Sequence, residues 1–297
     1  MMKRFISLLL ATLILLSYTP LALYAELNAL TSMINAQTYS LGSAGTALFS
    51  GIPNIFTNPA GIRRNDKTVS ALCVTHHIAM FNSKYDAVSY VFKLSGKSVA
   101  GTTAGITALL FDTGTESITG FGTVVAQKDT AVVASIAHNP GGKLTFGLNL
   151  KYVMSTLVEK YDSQILTVDT GAIFRLNPST RIGATLQNYS QLLKPYQLPG
   201  ETLVPLTLRA GISKLSKDER FIITADAVSV NNTITYSAGS EYALTRVITL
   251  RAGYNTAVGT YTLGGGIKIS NFRLDYAYSP VKTFGNNHLA SLTIEFY

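Results

Sequence analysis

Tryptophan is absent from this 297-residue sequence, cysteine occurs once, and charged residues make up only 13% of the chain. Ordinary globular chains carry about 25% charged residues. Because disordered chains combine high charge with low hydrophobicity, the 47% hydrophobic content excludes disorder, and the low charge excludes a charge-laced coiled coil. The single Cys73 excludes an intramolecular disulfide, so a core or closed hydrogen bonding must hold the chain together.

Long apolar runs are also missing. No stretch of about 18 apolar residues occurs beyond Lys67, so no membrane-spanning helix is predicted there. The apolar run at residues 5–16 is too short to span a bilayer comfortably, and it follows the basic residues Lys3 and Arg4. A small-residue cleavage candidate at 23–25 completes the pattern. The sequence therefore predicts a signal peptide over residues 1–25 and export; an uncleaved anchor is the alternative interpretation.

The sequence instead alternates apolar and polar residues in segments of about ten residues. In residues 144–154 every second residue is large and apolar, and residues 248–255 and 272–278 repeat the pattern. A soluble sandwich alternates too, but its polar face is usually rich in Lys and Glu. Here that face is mostly Thr, Ser, Gly and Asn. The sequence therefore predicts an all-β fold, a transmembrane antiparallel β-barrel whose apolar face contacts lipid.

Fourteen such segments can be counted, an even number, as is typical of bacterial outer-membrane barrels. They are predicted at residues 67–80, 85–95, 98–112, 127–138, 143–157, 163–176, 179–189, 203–214, 219–230, 233–244, 246–256, 260–270, 271–279 and 287–297. A miscount by one hairpin would give about twelve or sixteen. Longer connections at 112–126, 190–202 and 279–286 alternate with tight turns, as extracellular loops alternate with periplasmic turns.

Charged residues are sparse on the predicted lumen side and carry both signs. They are Lys151, Arg175, Arg181, Arg209, Arg251, Lys268 and Arg273 with Asp169, Asp226, Glu241, Asp275 and Glu295. This mixture predicts ion pairs across the lumen rather than a basic stripe for nucleic acid. The four histidines lack metal-ligand spacing, and no nucleophile motif is present. We therefore predict no enzyme activity, metal, cofactor or nucleic-acid partner.

Residues 26–66 do not alternate and are loop-like and moderately apolar. We predict that they fold into the barrel formed by residues 67–297 as an N-terminal hatch. Pro59 has a fixed φ and biases Asn58 away from helix, which makes a rigid corner. The glycines at 42, 45 and 51 are no nucleotide-binding loop, because no strand precedes them and no Lys-Ser/Thr follows.

Two short motifs in this region carry a family resemblance. Residues 44–47 (AGTA) followed by residues 58–62 (NPAGI) resemble the hatch of FadL-like outer-membrane proteins of the FadL/TodX superfamily, especially the PorV/PorQ type. The closing strands of that group resemble residues 239–242, 250–254, 263–266 and 274–278. The loops here are shorter than those of the fatty-acid channels. The resemblance implies an outer-membrane channel that takes up long-chain fatty acids or other hydrophobic small molecules through a hatch-gated lumen.

The resemblance also implies roles for individual residues. The hatch motif would comprise Gly45, Asn58, Pro59, Ala60 and Gly61. An apolar ligand path would be lined by Phe49, Ile52, Ile55 and Phe56, unless these residues merely pack the hatch into the barrel. A ligand carboxylate would pair with Arg209, Arg251 or Arg273, unless these pair with lumen acids.

The expected partners are outer-membrane lipid and a fatty acid-like hydrophobic ligand. Two alternatives remain at this point. A PorV-like barrel would hold or shuttle exported proteins, which would then be its partners. A structural or adhesive barrel would present its 112–126 and 190–202 loops at the cell surface.

Overall fold

Alternating strands close into a barrel. The computed structural model describes residues 35–63, 68–79, 83–95, 101–118, 122–194, 204–281 and 285–297. Within these residues, fourteen antiparallel strands each pair with their neighbours along the chain, and the first strand pairs with the last. This confirms the predicted all-β class and the strand number. The predicted signal peptide, and residues 26–34 and 64–66 of the predicted hatch, lie outside the described residues.

The strand bounds follow the alternating segments closely. The barrel strands are β1 (Ser70–Ile78), β2 (Lys84–Lys93), β3 (Thr102–Asp112), β6 (Gln127–His138), β7 (Leu144–Leu157), β8 (Tyr161–Arg175), β9 (Thr180–Lys194), β10 (Thr207–Leu215), β11 (Phe221–Val230), β12 (Thr233–Ala243), β13 (Ile248–Asn255), β14 (Thr260–Ile269), β15 (Phe272–Val281) and β16 (Gly285–Phe296). A separate hairpin of β4 (Thr115–Ile118) and β5 (Gly122–Val125) lies between β3 and β6.

All three predicted long connections differ in the structure. The one predicted at 190–202 is wrong in its bounds and spans 195–206, because β9 continues to Lys194 and β10 begins at Thr207. The predicted loop 112–126 contains the β4–β5 hairpin. The predicted long connection at 279–286 is wrong, because β15 continues to Val281 and β16 begins at Gly285. Pro280 still pairs with Asn286, since a proline is tolerated where a strand ends. We call the end with the β6–β7, β8–β9 and β10–β11 turns the tight-turn end, and the end with the hairpin and the 195–206 connection the long-loop end.

The outer surface of the barrel is a belt of apolar side chains. On β7, Phe146, Leu148 and Leu150 are 43–50% exposed, whereas Asn149 and Lys151, which point to the other face, are buried. Such a continuous apolar belt exceeds the patches that soluble monomers expose, and it matches the lipid-facing band of membrane barrels. No helix in the described part of the chain is long and apolar enough to cross a membrane.

A charge at the centre of this belt tests its contact with lipid. Replacing the outward-facing Leu150 by arginine is expected to lower the free energy of unfolding in vesicles by about 2–4 kcal/mol, because the charge would lie near the bilayer midplane. The same change at Leu244, at the tight-turn end, is expected to cost only about 0–1 kcal/mol. Chemical denaturation in lipid vesicles measures both. Equal losses at the two positions would contradict the depth assignment.

Residues 35–63, which we call the inner segment, lie inside the barrel and are almost entirely buried. The segment contains the short helix α1 (Ala36–Ser40), in which the Asn35 side chain accepts from the Gln37 amide, and two 3-10 helices, Ile52–Asn54 and Pro59–Ile62. Side chains of the wall hold it on opposite sides. The Asn149 amide of β7 donates to the Ile55 carbonyl at 2.8 Å, and the Ser291 hydroxyl of β16 accepts from the Ala36 amide at 3.1 Å.

Candidate functional site

The inner segment touches the wall at seven inward-facing glycines. These form what we call the glycine track: Gly147, Gly171, Gly183, Gly211, Gly239, Gly253 and Gly264. A Cβ added at Gly147 would lie 2.1 Å from the Ala60 nitrogen, and one at Gly253 would lie 2.1 Å from the Gly42 nitrogen. Real Cβ atoms essentially never approach other atoms within 3.0 Å. Glycine therefore allows the backbone of the segment to lie directly on the backbone of the strands.

Asp226 on β11 binds the first of the two motifs. Its Oδ2 accepts from the Gly45 amide at 3.0 Å, from the Thr46 amide at 3.0 Å and from the Thr46 hydroxyl at 2.6 Å. Arg209 on β10 donates to the same oxygen at 3.1 Å and to the Ser43 carbonyl at 2.6 Å. Both charges are buried, and the Oδ2 atom of Asp226 serves the arginine and the motif together, whereas its Oδ1 has no hydrogen-bond partner among the described residues.

Asn58 joins the second motif to the first. Its Oδ1 accepts from the Ala60 amide at 3.0 Å, which caps the 3-10 helix Pro59–Ile62. Its Nδ2 donates to the Thr46 carbonyl at 2.7 Å and to the Ala172 carbonyl of β8 at 3.1 Å. Asn58 has extended φ and ψ of −157° and 111°, as expected of a residue before proline. One side chain thus links both motifs to the barrel wall.

Asn54 supplies a second link between the motifs. Its Nδ2 donates to the Gly45 carbonyl at 2.8 Å and to the Leu48 carbonyl at 2.9 Å. A Cβ at Gly61 would lie 2.4 Å from that same nitrogen, so the position has no room for a side chain. The structure therefore brings all five residues of the sequence-derived hatch motif into one buried assembly.

The structure brings three of the four candidate ligand-lining residues into one cluster and places the fourth, Phe49, apart. Ile52 and Ile55 pack against inward-facing residues of the wall: Ala71, Cys73, Val91, Val133 and Ala137. Phe56 contacts this cluster and a second one, the long-loop cluster of Tyr85, Ala87, Leu109, Phe111, Ala131, Val153, Ile165 and Val204. Phe49 lies elsewhere, with its ring 5.3 Å from the guanidinium carbon of Arg181.

The long-loop cluster was not predicted, although its signal is present in the sequence. Residues 108–111 and 131–133 are apolar at consecutive positions, so both faces of the wall are apolar there. A row of rings leads to the cluster from α1. The ring centroids of Tyr39 and His77 are 5.5 Å apart, and those of His77 and Tyr85 are 5.2 Å apart. The centroids of Tyr85 and Phe111 are 4.5 Å apart. Burial raises the pKa of the Tyr39 phenol, which is neutral at pH 7.

The candidate carboxylate-binding arginines all have acid partners within the protein. Arg209 pairs with Asp226. Arg251 lies 2.6 Å from Glu241 and 2.8 Å from Asp275, and Arg273 lies 2.7 Å from Asp275. The side chain of Gln37 in the inner segment hydrogen-bonds to both Glu241 and Arg273. These arginines therefore form ion pairs within the wall and anchor the inner segment, which is the alternative role that the sequence left open for them.

A basic pocket of ≈700 Å³ opens at the tight-turn end. Its lining includes Lys143, Arg175, Arg181 and Glu219 together with Leu176 and Leu215. Burial and the charge of Arg175 lower the pKa of the guanidinium of Arg63, which follows the second 3-10 helix. In the residues covered by the structure, no group of His, Cys, Asp or Glu is placed to hold a metal ion.

The closed fourteen-stranded barrel shares its fold with solved structures of two toluene transporters and of a FadL homologue. The toluene transporter TbuX of Ralstonia pickettii superposes with a TM-score of 0.64 at 16% identity, over 90% of this chain and 99% of that one. The toluene transporter TodX of Pseudomonas putida gives 0.59 at 14% identity, over 93% and 99%. A FadL homologue of Pseudomonas aeruginosa gives 0.63 at 11% identity, over 90% and 99%.

At these identities the comparisons show a shared fold of the FadL/TodX type. No family model matches the sequence, and no curated protein sequence matches it. These fold neighbours are transporters rather than enzymes, which agrees with the prediction that the chain has no enzyme activity.

Proposed function

We propose that the chain is an outer-membrane channel for the uptake of hydrophobic small molecules such as fatty acids or aromatic hydrocarbons. The observation that carries the proposal is the long-loop cluster, an apolar and aromatic surface enclosed in a barrel with the fold of toluene transporters. Phe56 extends this surface onto the inner segment. A ligand entering from the long-loop end meets apolar side chains, which suits hydrocarbon and excludes ions.

The inner segment acts as the hatch in this proposal. Its contacts with the glycine track, Asp226 and Asn58 support a closed resting position across the lumen. Of the four candidate ligand-lining residues, Phe56 is the one assigned to the path, because it alone contacts the long-loop cluster. Ile52 and Ile55 are assigned to packing.

Export follows from the same proposal. Residues 1–25 serve as a signal peptide, residues 26–66 as the hatch, and residues 67–297 as the barrel. Because short turns of outer-membrane barrels face the periplasm, the tight-turn end is assigned to that side. N-terminal sequencing of the protein from an outer-membrane fraction tests the cleavage, and a chain that begins at Met1 would contradict it.

Uptake is expected to depend on the size of the residue at position 131. Ala131 faces the lumen and is 1% exposed, whereas the adjacent Val132 faces outward and is 42% exposed. In cells that lack other channels of this fold, Ala131→Trp is expected to reduce uptake of radiolabelled toluene and oleate to the level of cells without the protein. The matched Val132→Trp variant is expected to keep the wild-type rate.

Two outcomes would contradict the channel. In one, wild-type cells take up neither compound faster than cells without the protein. In the other, the two tryptophan variants transport equally. Heat-modifiable gel mobility establishes that each variant is a folded barrel before uptake is compared.

The PorV/PorQ-like motifs support a second proposal, in which the barrel holds or shuttles exported proteins. The two motifs at residues 44–47 and 58–62 are the observation that favours it. Crosslinking in cells followed by purification tests it. A stoichiometric exported partner together with no uptake would replace the channel with this function, and uptake without such a partner would rule it out.

A further inference from the structure

The cations near the tight-turn end fall into two groups. On β13 and β15, Arg251 and Arg273 each contact a carboxylate within 2.8 Å. On β8 and β9, by contrast, no carboxylate among the described residues lies within ion-pair distance of Arg175 or Arg181. The Nε of Arg181 is buried and has no hydrogen-bond partner in the same part of the chain.

These uncompensated cations share the basic pocket. Lys143, Arg175 and Arg181 line it with a single acid, Glu219, which leaves a formal excess of two positive charges. Like charges held together in a partly buried site are unfavourable, and an anion from outside the chain relieves them. If these cations served only to stabilise the fold, an acid in place of one of the arginines would give an ion pair and a more stable arrangement.

The pocket also has an apolar part. Leu176 and Leu215 line it, and the Phe49 ring covers one face of the Arg181 guanidinium. A guanidinium covered on its face still presents N–H donors along its edge, and this edge fits the two oxygens of a carboxylate. The combination suits a charged head joined to a hydrocarbon chain.

We propose that the basic pocket is an exit-side site for the carboxylate of an amphiphilic organic acid, bound by Arg175 and Arg181 with Lys143 nearby. The proposal rests on the proposed channel function and narrows its substrates from hydrophobic compounds in general to long-chain acids. A neutral hydrocarbon has no group that these cations would bind. An acid leaving the lumen is ionised at pH 7, because ordinary carboxyl pKa values lie near 4.

Uptake of an acid and of the matching alcohol separates the site from the channel. The Arg175→Gln/Arg181→Gln variant is expected to take up labelled oleate about tenfold more slowly, because a tenfold change corresponds to the loss of about one charge-assisted hydrogen bond. Uptake of labelled oleyl alcohol is expected to be unchanged. A Lys217→Gln/Arg246→Gln variant removes the same charge from exposed positions at the same end and is expected to behave as wild type.

Direct binding keeps the inference testable if the channel proposal fails. If wild-type cells take up neither compound, the channel function is wrong, and the site is judged by fluorescence of cis-parinaric acid on the purified protein in non-ionic detergent. The acid is expected to bind wild type about tenfold more tightly than the arginine variant, and its methyl ester to bind both equally. Equal binding of acid and ester to wild type, or unchanged acid binding by the variant, would overturn the site.

Discussion

Replacing Asp226 by alanine is expected to lower the free energy of unfolding by about 3–5 kcal/mol, because the change leaves a buried charge without its partner. Arg209 would keep its contact with the Ser43 carbonyl but lose its carboxylate, and the amides of Gly45 and Thr46 would lose their acceptor. The inner segment would keep its other wall contacts, including those of Asn58, Asn149 and Ser291, but the stretch around Gly45 and Thr46 would lose its charged anchor. We therefore expect the segment to leave the wall in part of the population.

Denaturant unfolding in detergent measures the stability loss, and limited proteolysis measures the accessibility of residues 35–63. Asp218→Ala is the matched control, since Asp218 is an exposed acid in the β10–β11 turn that bonds only to its own turn. The control is expected to unfold as wild type and to resist protease. Equal unfolding of the Asp226 and Asp218 variants would show that Asp226 does not anchor the segment.

A paired replacement separates burial of charge from anchoring. Asp226→Leu with Arg209→Met removes both charges, and such apolar replacements of buried pairs are often neutral or stabilising. Stability is therefore expected to recover toward wild type. Protease sensitivity is expected to persist, because leucine offers no acceptor to the Gly45 and Thr46 amides. Full recovery of protease resistance would contradict the anchoring role.

The strand pattern was predictable because lipid constrains every second residue. On β7 the outward Phe146, Leu148 and Leu150 reveal the strand without knowledge of its neighbours. The Asn58–Pro59 corner was predictable for a similar reason, since the fixed φ of proline acts within two residues. Both features depend on local chemistry, which a single sequence contains.

Features that depend on the closed barrel were not predictable in this way. Alternation places Arg175 and Arg251 on the same face, but strand pairing decides that Arg251 meets Glu241 across β12 and β13 while Arg175 lies opposite Arg181. From the sequence alone, inward glycines indicate only positions where the strand is weakened, because glycine has no side chain to pack. Their role becomes visible only when the inner segment is known to lie against them.

Valine at Gly253 is expected to expel the inner segment, because its Cβ would lie 2.1 Å from the Gly42 nitrogen, a backbone atom that no side-chain rotation can move. Overpacking usually costs about 1–3 kcal/mol where side chains can adjust, and here the adjustment must be displacement of the segment. Valine favours strands, so the wall itself tolerates the change. We expect a conducting pore in planar bilayers where wild type is closed.

Gly265→Val is the matched control on the neighbouring strand. A Cβ there would meet nothing of the inner segment, its nearest atom being the Thr249 carbonyl oxygen at 3.2 Å. The control is expected to remain closed, and a conducting Gly265 variant would assign the effect to the wall instead. Combining Gly253→Val with Asp226→Ala tests the mechanism further. If both changes release the same segment, the double variant conducts no more than Gly253→Val alone, whereas summed conductances would require two separate openings.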